Sequence, residues 1–252
     1  MLVFNTDLDN TMIYSYKQDI GNLKRCVEIY QDREISFITE KTFDLLKIVK
    51  EKLLIVPTTT RTVEQYRRID FGLGTPRYAL ACNGGVLLVD GEEDEDWYNE
   101  SYTLVENCQE ELAKAEALLT NDELRTFEVR NIKKLFIFTK SSLPEITVEK
   151  LKAQLDTSLL DVFYNGVKVY AVPKKLSKGV AIDRFRKKLN ATKVIAAGDS
   201  EFDIPMLQKA DIAFAPQKLK SCGELNSDTI YIDDTRIFSE GILEYMLHNI
   251  IK

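Results

Sequence analysis

Short apolar segments that end abruptly in polar loops alternate with amphipathic helices at both ends of this 252-residue sequence. Leu2–Thr6 stops at Asp7-Leu8-Asp9-Asn10-Thr11, and Val194–Ala197 stops at Gly198-Asp199-Ser200. Strands that are apolar throughout are typical of parallel sheets, which helices cover on both faces. The alternation therefore predicts an α/β domain with a mostly parallel sheet. Helices are predicted at about 39–52, 62–70, 177–189, from about 203 and from about 236, and further strands at Leu53–Val56, Tyr78–Ala81, Ile212–Ala215 and Thr229–Ile232.

The middle of the sequence has a different pattern, in which a helix is followed by two strands and the order is then repeated. Capping-box spacings at Thr103 and Ser142 predict helices that run to about 119 and 155. Strands are predicted at Leu124–Arg130, Lys134–Thr139, Val162–Tyr164 and Val167–Val172. We therefore expect an inserted α+β domain over 100–172 and a core domain made of 1–99 and 173–252.

A hairpin is expected within the first core segment, over about 26–38. Apolar and polar residues alternate in Cys26–Tyr30 and Ile35–Ile38, on either side of a polar four-residue turn, Gln31–Glu34. This hairpin would lie beside the loop that follows the first strand.

Composition excludes several function classes. The 34 basic and 40 acidic residues give a net charge of −6, which argues against broad nucleic-acid binding. No apolar run is long enough to cross a membrane and no signal-peptide pattern begins the sequence, while the four cysteines are widely spaced. We therefore expect a cytoplasmic protein with reduced thiols. With His248 as its single histidine, the chain cannot use a histidine-based triad.

Four polar motifs follow predicted strands or begin a predicted helix, where open α/β sheets bind their ligands. They are Asp7-x-Asp9-x-Thr11, Thr58-Thr59-Thr60-Arg61, Ser177-Lys178-Gly179 and Gly198-Asp199-Ser200-Glu201-Phe202-Asp203. Each alone is compatible with an ordinary turn or helix cap. Together they offer a carboxylate nucleophile, a second acid, phosphate-binding hydroxyls, a lysine and oxygen ligands for a hard cation. That set fits metal-assisted phosphoryl transfer.

In these four motifs the sequence resembles the haloacid dehalogenase (HAD) superfamily of phosphohydrolases. Ala81-Cys82-Asn83-Gly84-Gly85 is similar to a stretch of its Cof-like and sucrose-phosphatase-like branch, which carries a type IIB α/β cap between the second and third motifs. The resemblance implies a Rossmann-like core with an inserted cap. A closer similarity, over 9–15 and 59–68, is to HAD-like proteins encoded in tellurium-resistance-type stress gene clusters.

The resemblance also implies roles for individual residues. Asp7 would be the nucleophile and Asp9 the general acid and base, while Thr59 would hold the phosphoryl group and Lys178 would neutralise its charge. Further residues expected to contact the phosphate are Leu8, Asn10, Thr11, Thr60, Arg61, Asn83 and Gly84. The implied cofactor is Mg²⁺, with the ligands Asp7, Asp9 (through its carbonyl), Asp199 and Asp203.

Three positions depart from the family pattern. Asn10 and Thr60 stand where the family has glycine, and Phe202 stands where it has asparagine. A side chain at the first two positions restricts loops whose backbone approaches phosphate.

The predicted function is removal of phosphate from a small-molecule phosphate ester, with a sugar phosphate as the expected class. A phosphomutase of the same branch is a second hypothesis, and Arg130, Lys133 and Lys134 would supply the basic residues for its second phosphate. Two further hypotheses are a receiver-like phosphoaspartate switch and a non-catalytic component of a stress complex. Asp9 argues against the switch, because an acid/base group beside the acceptor shortens the lifetime of the phosphoaspartate.

Overall fold

A computed structural model describes residues 1–222 and 224–251. It divides into two compact units, one made of Met1–Asp94 with Lys178–Lys252 and the other of Glu95–Ser177. In chain order the strands are β1 (Leu2–Thr6), β2 (Tyr14–Ser15), β3 (Lys24–Tyr30), β4 (Arg33–Thr39), β5 (Leu54–Pro57), β6 (Tyr78–Ala81), β7 (Val86–Val89), β8 (Glu92–Glu93), β9 (Arg130–Ile132), β10 (Phe136–Lys140), β11 (Leu160–Asn165), β12 (Lys168–Pro173), β13 (Lys193–Ala197), β14 (Ile212–Pro216) and β15 (Ile230–Ile232). The helices are α1 (Glu40–Val49), α2 (Val63–Tyr66), α3 (Glu95–Val105), α4 (Gln109–Thr120), α5 (Pro144–Lys152), α6 (Lys178–Leu189), α7 (Ile204–Lys209) and α8 (Phe238–Asn249).

None of the helices in these described ranges is long and apolar enough to cross a membrane.

The first unit is built on a five-stranded parallel sheet with the order β15-β14-β13-β1-β5. Its central strands are buried, as their apolar sequences require. At the carboxyl ends of these strands, Thr6 lies opposite both Ala197 and Pro57. The loops that begin at Asp7, Thr58 and Gly198 therefore start side by side.

β6 does not join this parallel sheet but forms a separate antiparallel sheet of order β6-β7-β8. The four residues Cys82–Gly85 connect β6 to β7, and a connection this short permits only an antiparallel partner. The strand has the predicted bounds, and a parallel bridge from Leu80 to Thr58 places it beside the loop after β5.

β3 and β4 form an antiparallel hairpin, with β2 as the third strand of its sheet. The expected four-residue turn is wrong, because Tyr30 pairs with Arg33 and leaves only Gln31 and Asp32 in the turn. Both turn residues have positive φ, 50° and 58°, as a two-residue type I′ hairpin turn requires.

The second unit contains a four-stranded antiparallel sheet of order β11-β12-β10-β9. The helices α4 and α5 bury their apolar residues against one face of it, around Leu112, Ile137 and Val169. The order α4-β9-β10 followed by α5-β11-β12 confirms the predicted repeat of a helix and two strands. Together with the parallel core sheet, it confirms the predicted fold class.

Three local predictions in this unit are wrong. Thr103 does not begin a helix, since its hydroxyl donates to the Asn99 carbonyl inside α3, which starts at Glu95. Ser142 does not cap α5; Pro144 begins that helix, where its missing N–H costs nothing. The strand expected from residue 124 begins only at Arg130.

Candidate active site

The site lies at the carboxyl edge of the parallel sheet, where the loops after β1, β5 and β13 begin. The Asp7 amide donates to the Ala197 carbonyl at 2.9 Å, and the Thr58 amide donates to the Thr6 carbonyl at 2.7 Å. Asn5 secures the same edge through a hydrogen bond of 3.0 Å from its side chain to the Thr58 hydroxyl. The hydrogen bonding of the sheet thus extends into the first residue of two of these loops.

Lys178, the first residue of α6, is buried between two carboxylates. Its Nζ lies 2.5 Å from Asp7 Oδ1 and 2.6 Å from Asp203 Oδ1. The Thr11 hydroxyl donates to the other Asp7 oxygen at 3.3 Å. Gly179 permits this placement, because a Cβ there would lie 2.4 Å from the Pro205 carbonyl oxygen. The Lys178 ammonium is therefore placed to offset negative charge on Asp7 or on a group bonded to Asp7.

Burial and charge shift the titration of this cluster. Burial raises the pKa of Asp7 well above its ordinary value of 3.8; Lys178 opposes the shift, whereas Asp203 and Asp9 add to it. Burial alone would lower the pKa of Lys178, but the carboxylates of Asp203 and Asp7 outweigh it and raise that pKa above its usual range. Both directions follow from several carboxylates gathered around one ammonium.

Asp203 fixes the turn after β13. Its Oδ2 accepts hydrogen bonds from the amides of Asp199 and Ser200, both at 3.1 Å, and from the Ser200 hydroxyl at 2.9 Å. Gly198 is required by this arrangement, since a Cβ there would lie 2.2 Å from the Asp203 Cβ. Asp203 therefore joins the turn to Lys178 through its two oxygens.

A hard cation fits the carboxylates of this turn. Oxygens of Asp7, Asp199 and Asp203 lie within 4.8 Å of one another, all three residues are buried, and oxygen is the donor that Mg²⁺ prefers. Asp203 Oδ2 already accepts three hydrogen bonds from the turn, whereas Asp7 Oδ2 accepts a longer bond of 3.3 Å from Thr11, so Asp7 and Asp199 are the better placed ligands. Burial raises the pKa of Asp199, and Lys218, 2.9 Å from its Oδ2, opposes that shift. A cation bound by Asp199 would offset the negative charge that Lys218 now partly offsets.

Asp9 is held by an arginine from the loop after β5. Arg61 Nε and Nη2 donate to the two Asp9 oxygens at 2.8 and 2.7 Å. Arg61 Nη1 donates to Glu28 at 2.9 Å and to the Gln65 carbonyl at 3.5 Å. Burial acts to lower the pKa of Arg61, but Asp9 and Glu28 raise it above its usual range. Arg61, predicted to contact phosphate, thus places its guanidinium on carboxylates.

Backbone contacts hold the loop that contains Thr59. The Arg61 amide donates to the Thr59 hydroxyl at 3.1 Å, the Asn83 amide to the Thr59 carbonyl at 2.9 Å, and the Cys82 amide to the Arg61 carbonyl at 2.7 Å. Cys82, Asn83 and Gly84 reach these positions with φ of 53°, 58° and 84°. This strained turn explains the Asn-Gly pair, because both residue types adopt positive φ more readily than others.

The loop after β1 folds over the Leu8 carbonyl, which accepts the amides of Thr11, Met12 and Ile13. Asn10 has a φ of 62° and donates its amide to the Ile13 carbonyl at 2.8 Å.

The structure gathers part of the predicted set into one cluster and leaves the rest in the flanking loops. The cluster contains Asp7, Thr11, Lys178, Asp199 and Asp203. The flanking loops contain Leu8, Asp9, Asn10, Thr59, Thr60, Arg61, Asn83 and Gly84. Sequence reasoning missed Lys218 and Glu28. The position of Lys218 just after β14 was a usable signal, whereas nothing in the sequence around Glu28 marks it.

A parallel α/β sheet with a buried lysine between carboxylates at its carboxyl edge is typical of a protein that binds a charged ligand there. A family model for haloacid dehalogenase-like hydrolases matches residues 89–218, more than half of the chain, including Lys178, Asp199 and Asp203. The chain therefore belongs to the haloacid dehalogenase-like hydrolases, and the resemblance to the HAD superfamily is confirmed. A comparison with curated protein sequences finds no match.

Solved structures share the fold along nearly the whole chain. Sucrose-phosphatase from Synechocystis sp. PCC6803, in complex with sucrose and phosphate, is 17% identical over 98% of this chain and 97% of its own, with a TM-score of 0.69. A HAD subclass IIB sugar phosphatase is 14% identical over 98% of both chains, with a TM-score of 0.56. Trehalose-6-phosphate phosphatase from Aspergillus fumigatus is 11% identical over 98% of this chain and 92% of its own, with a TM-score of 0.56. At these identities the likeness establishes the fold.

Proposed function

We propose that this chain is a phosphatase that hydrolyses a small-molecule phosphomonoester, of the sugar-phosphate class, through an aspartyl-phosphate on Asp7. The observation that carries the proposal is the buried contact of 2.5 Å between Asp7 and Lys178 at the edge where β1 and β13 end. Family membership supports hydrolysis, and the three similar solved structures are named as phosphatases of sugars. A shared fold does not by itself specify a substrate, so the sugar class rests on the names of these three similar structures.

The chemistry has two steps. An Asp7 oxygen attacks phosphorus, the bond from phosphorus to the ester oxygen breaks, and Asp9 gives that oxygen a proton. Water then attacks the phosphorus of the aspartyl-phosphate while Asp9 takes a proton from that water. The bond from phosphorus to the Asp7 oxygen breaks, inorganic phosphate leaves and the Asp7 carboxylate is restored. Both Asp9 oxygens accept hydrogen bonds from Arg61, as the carboxylate that takes a proton in the second step can do. In the first step one Asp9 oxygen carries a proton, and that oxygen would give up its hydrogen bond to Arg61.

Asp7 and Asp199 would hold Mg²⁺, with the Asp9 carbonyl as a further ligand and Asp203 as the residue that orients the turn. When bound, the ion offsets negative charge on the phosphoryl group. Lys178 supplies the same kind of stabilisation from α6, because its ammonium is already placed beside Asp7 and needs no rearrangement.

The second unit, Glu95–Ser177, would act as the cap that selects the substrate. We do not extend the proposal to a phosphomutase. Arg130 is engaged by Glu128 at 2.6 Å and lies over the Phe127 ring, while Lys133 and Lys134 form a turn between β9 and β10 with positive φ.

The test is a screen of sugar phosphates and an aryl phosphate with and without Mg²⁺, on wild type and on Asp7→Asn. An amide cannot attack phosphorus, so turnover should fall by at least about 10³-fold in a folded variant. Asp44→Asn on the exposed face of α1 is the matched control and should keep wild-type rates. Near-normal turnover by Asp7→Asn would contradict the proposal.

A further inference from the structure

Glu28 is a completely buried carboxylate that lies on β3, outside the four motifs that the sequence marks. Its Oε1 accepts from Arg61 Nη1 at 2.9 Å and from Arg68 Nε at 3.1 Å, and its Oε2 accepts from the Ser36 hydroxyl at 2.7 Å. A buried carboxylate is costly unless its oxygens are satisfied and its charge is offset. Two guanidinium groups and a hydroxyl meet both conditions here.

An irregularity in β3 turns this side chain inward. Val27 and Glu28 are consecutive and both buried, although neighbouring residues of a regular strand point to opposite faces. The register of β3 against β4 shifts on both sides of Glu28, as it does at a β-bulge. The bulge region is also attached to the segment after α2, through a bridge from Glu28 to Ile69 and a 2.8 Å hydrogen bond from the Asp70 amide to the Val27 carbonyl.

The contacts form a chain from this buried anchor to Asp9. The side chain of Glu28 is 0% exposed, that of Arg61 is 13% exposed and that of Asp9 is 51% exposed. A guanidinium is planar and rigid, so fixing its Nη1 on Glu28 sets the direction in which Nε and Nη2 point. These are the two groups that hold the Asp9 carboxylate. The orientation of the half-exposed Asp9 is therefore set from a site that solvent does not reach.

We propose that Glu28 is a positioning residue for proton transfer at Asp9 and acts through Arg61, an inference that rests on the proposed function. The hairpin of β3 and β4 then belongs to the catalytic architecture, because it carries the anchor. Glu28 itself touches no reacting atom.

The test uses the dependence of rate on the leaving group. Dinitrophenyl phosphate releases an anion that needs no proton, whereas glycerol phosphate releases an alkoxide that does. The quantity compared is kcat/KM, since it reports the first phosphoryl transfer for both esters. Glu28→Gln keeps the shape of the side chain and removes its charge. We expect kcat/KM to fall about 10²-fold for glycerol phosphate and less than about threefold for dinitrophenyl phosphate.

Glu34→Gln, on the exposed face of β4, is the matched control and should leave both values unchanged. The double variant Glu28→Gln/Arg68→Met removes one partly exposed cation together with the buried anion, and provides a charge-balanced protein should the single variant not fold. It should show the same selective loss. An equal loss for both esters, or no loss for either, would overturn the inference. A wild type that hydrolyses neither these two esters nor any sugar phosphate in the screen above would instead refute the proposed function on which it rests.

Discussion

At the scale of single residues, Asn10 shows why a departure from the family pattern is tolerated. Its φ of 62° lies in the left-handed region, where asparagine is the commonest residue after glycine. The conformation needed after β1 is therefore reached without glycine. The sequence reveals the substitution but not the dihedral angle that explains it.

Contacts between residues far apart in the sequence show which parts of the site could be predicted from the sequence and which could not. Asp7 and Lys178 are 171 residues apart and could be paired only because each lies in a recognisable motif. Glu28 is tied to Arg61 by geometry alone, since a bulge rather than a motif turns it inward. The double use of Asp203, on Lys178 and on its own turn, likewise depends on three-dimensional positions.

Gly198→Ala tests the close approach of β13 to Asp203. The added methyl group would overlap the Asp203 side chain, so Asp203 must move and its contacts with Lys178 and Ser200 must weaken. Overpacking of this kind costs about 1–3 kcal/mol, and we expect the free energy of unfolding in urea to fall by about 2 kcal/mol. Turnover should fall more than tenfold, on the order expected for a misplaced catalytic group.

Gly166→Ala is the comparison for this variant. Gly166 has a φ of 55° but open space around its Cβ position, so it measures backbone strain without a clash. It should leave turnover unchanged. Retention of full stability and activity by Gly198→Ala would mean that the turn after β13 can open without consequence.

At the scale of elements, the hairpin shows how far periodicity predicts a strand. Strict alternation in β3 would place Val27 and Ile29 on the same buried face, yet Ile29 is 60% exposed and Glu28 takes the inner position. A bulge adds one residue to the strand, so the side chains beyond it point to the face opposite the one that simple alternation predicts. Sequence periodicity therefore predicts the hairpin but not which side chains it buries.

In the second unit, Asp122 connects the end of α4 to α5. Its carboxylate accepts from the Thr147 hydroxyl at 2.7 Å and from the Leu124 amide at 3.3 Å, with Lys150 at 3.4 Å. Burial acts to raise the pKa of Asp122, but these contacts outweigh it and hold the pKa below its ordinary value of 3.8. The ionised form therefore stabilises the folded state.

Asp122→Asn should make this contribution measurable as a function of pH. A carboxyl with a lowered pKa stabilises the protein above its unfolded value, and that stability is lost as pH falls through the folded value. We expect the variant to be about 1 kcal/mol less stable than wild type at neutral pH, with the difference narrowing as pH falls below about 4. Urea unfolding from pH 7 to pH 3 measures it. A constant difference over this range would show that hydrogen bonding, not charge, connects the two helices.

At the scale of the whole molecule, the parallel sheet was predictable because each buried strand is apolar throughout and ends at a polar loop. The errors have local causes. Thr103 and Ser142 have the spacing of capping residues, but one lies inside α3 and the other is displaced by Pro144. A capping pattern specifies a helix start only where the preceding chain is not already helical and no better first residue, such as proline, follows.

Folding and metal binding should be linked in this molecule. A cation that binds only the folded chain adds stability that grows with its concentration, by about 2.7 kcal/mol at about 100 times Kd. Mg²⁺ would also relieve the crowding of buried carboxylates at Asp7 and Asp199, whose pKa values burial raises. We therefore expect the melting temperature of EDTA-treated protein to rise with added Mg²⁺.

Asp199→Ala should abolish most of this rise while costing little stability in metal-free buffer. The substitution removes a buried carboxylate from among like charges, and the Lys218 side chain that it leaves behind is 61% exposed and can be solvated. Asp44→Ala on α1 controls for the loss of an acidic residue, and a sodium salt of matched ionic strength controls for screening. A melting temperature of wild type that does not respond to Mg²⁺, or one that responds equally in Asp199→Ala, would exclude Asp199 as a ligand. Because the readout is thermal unfolding, the result holds whichever phosphate ester proves to be the substrate.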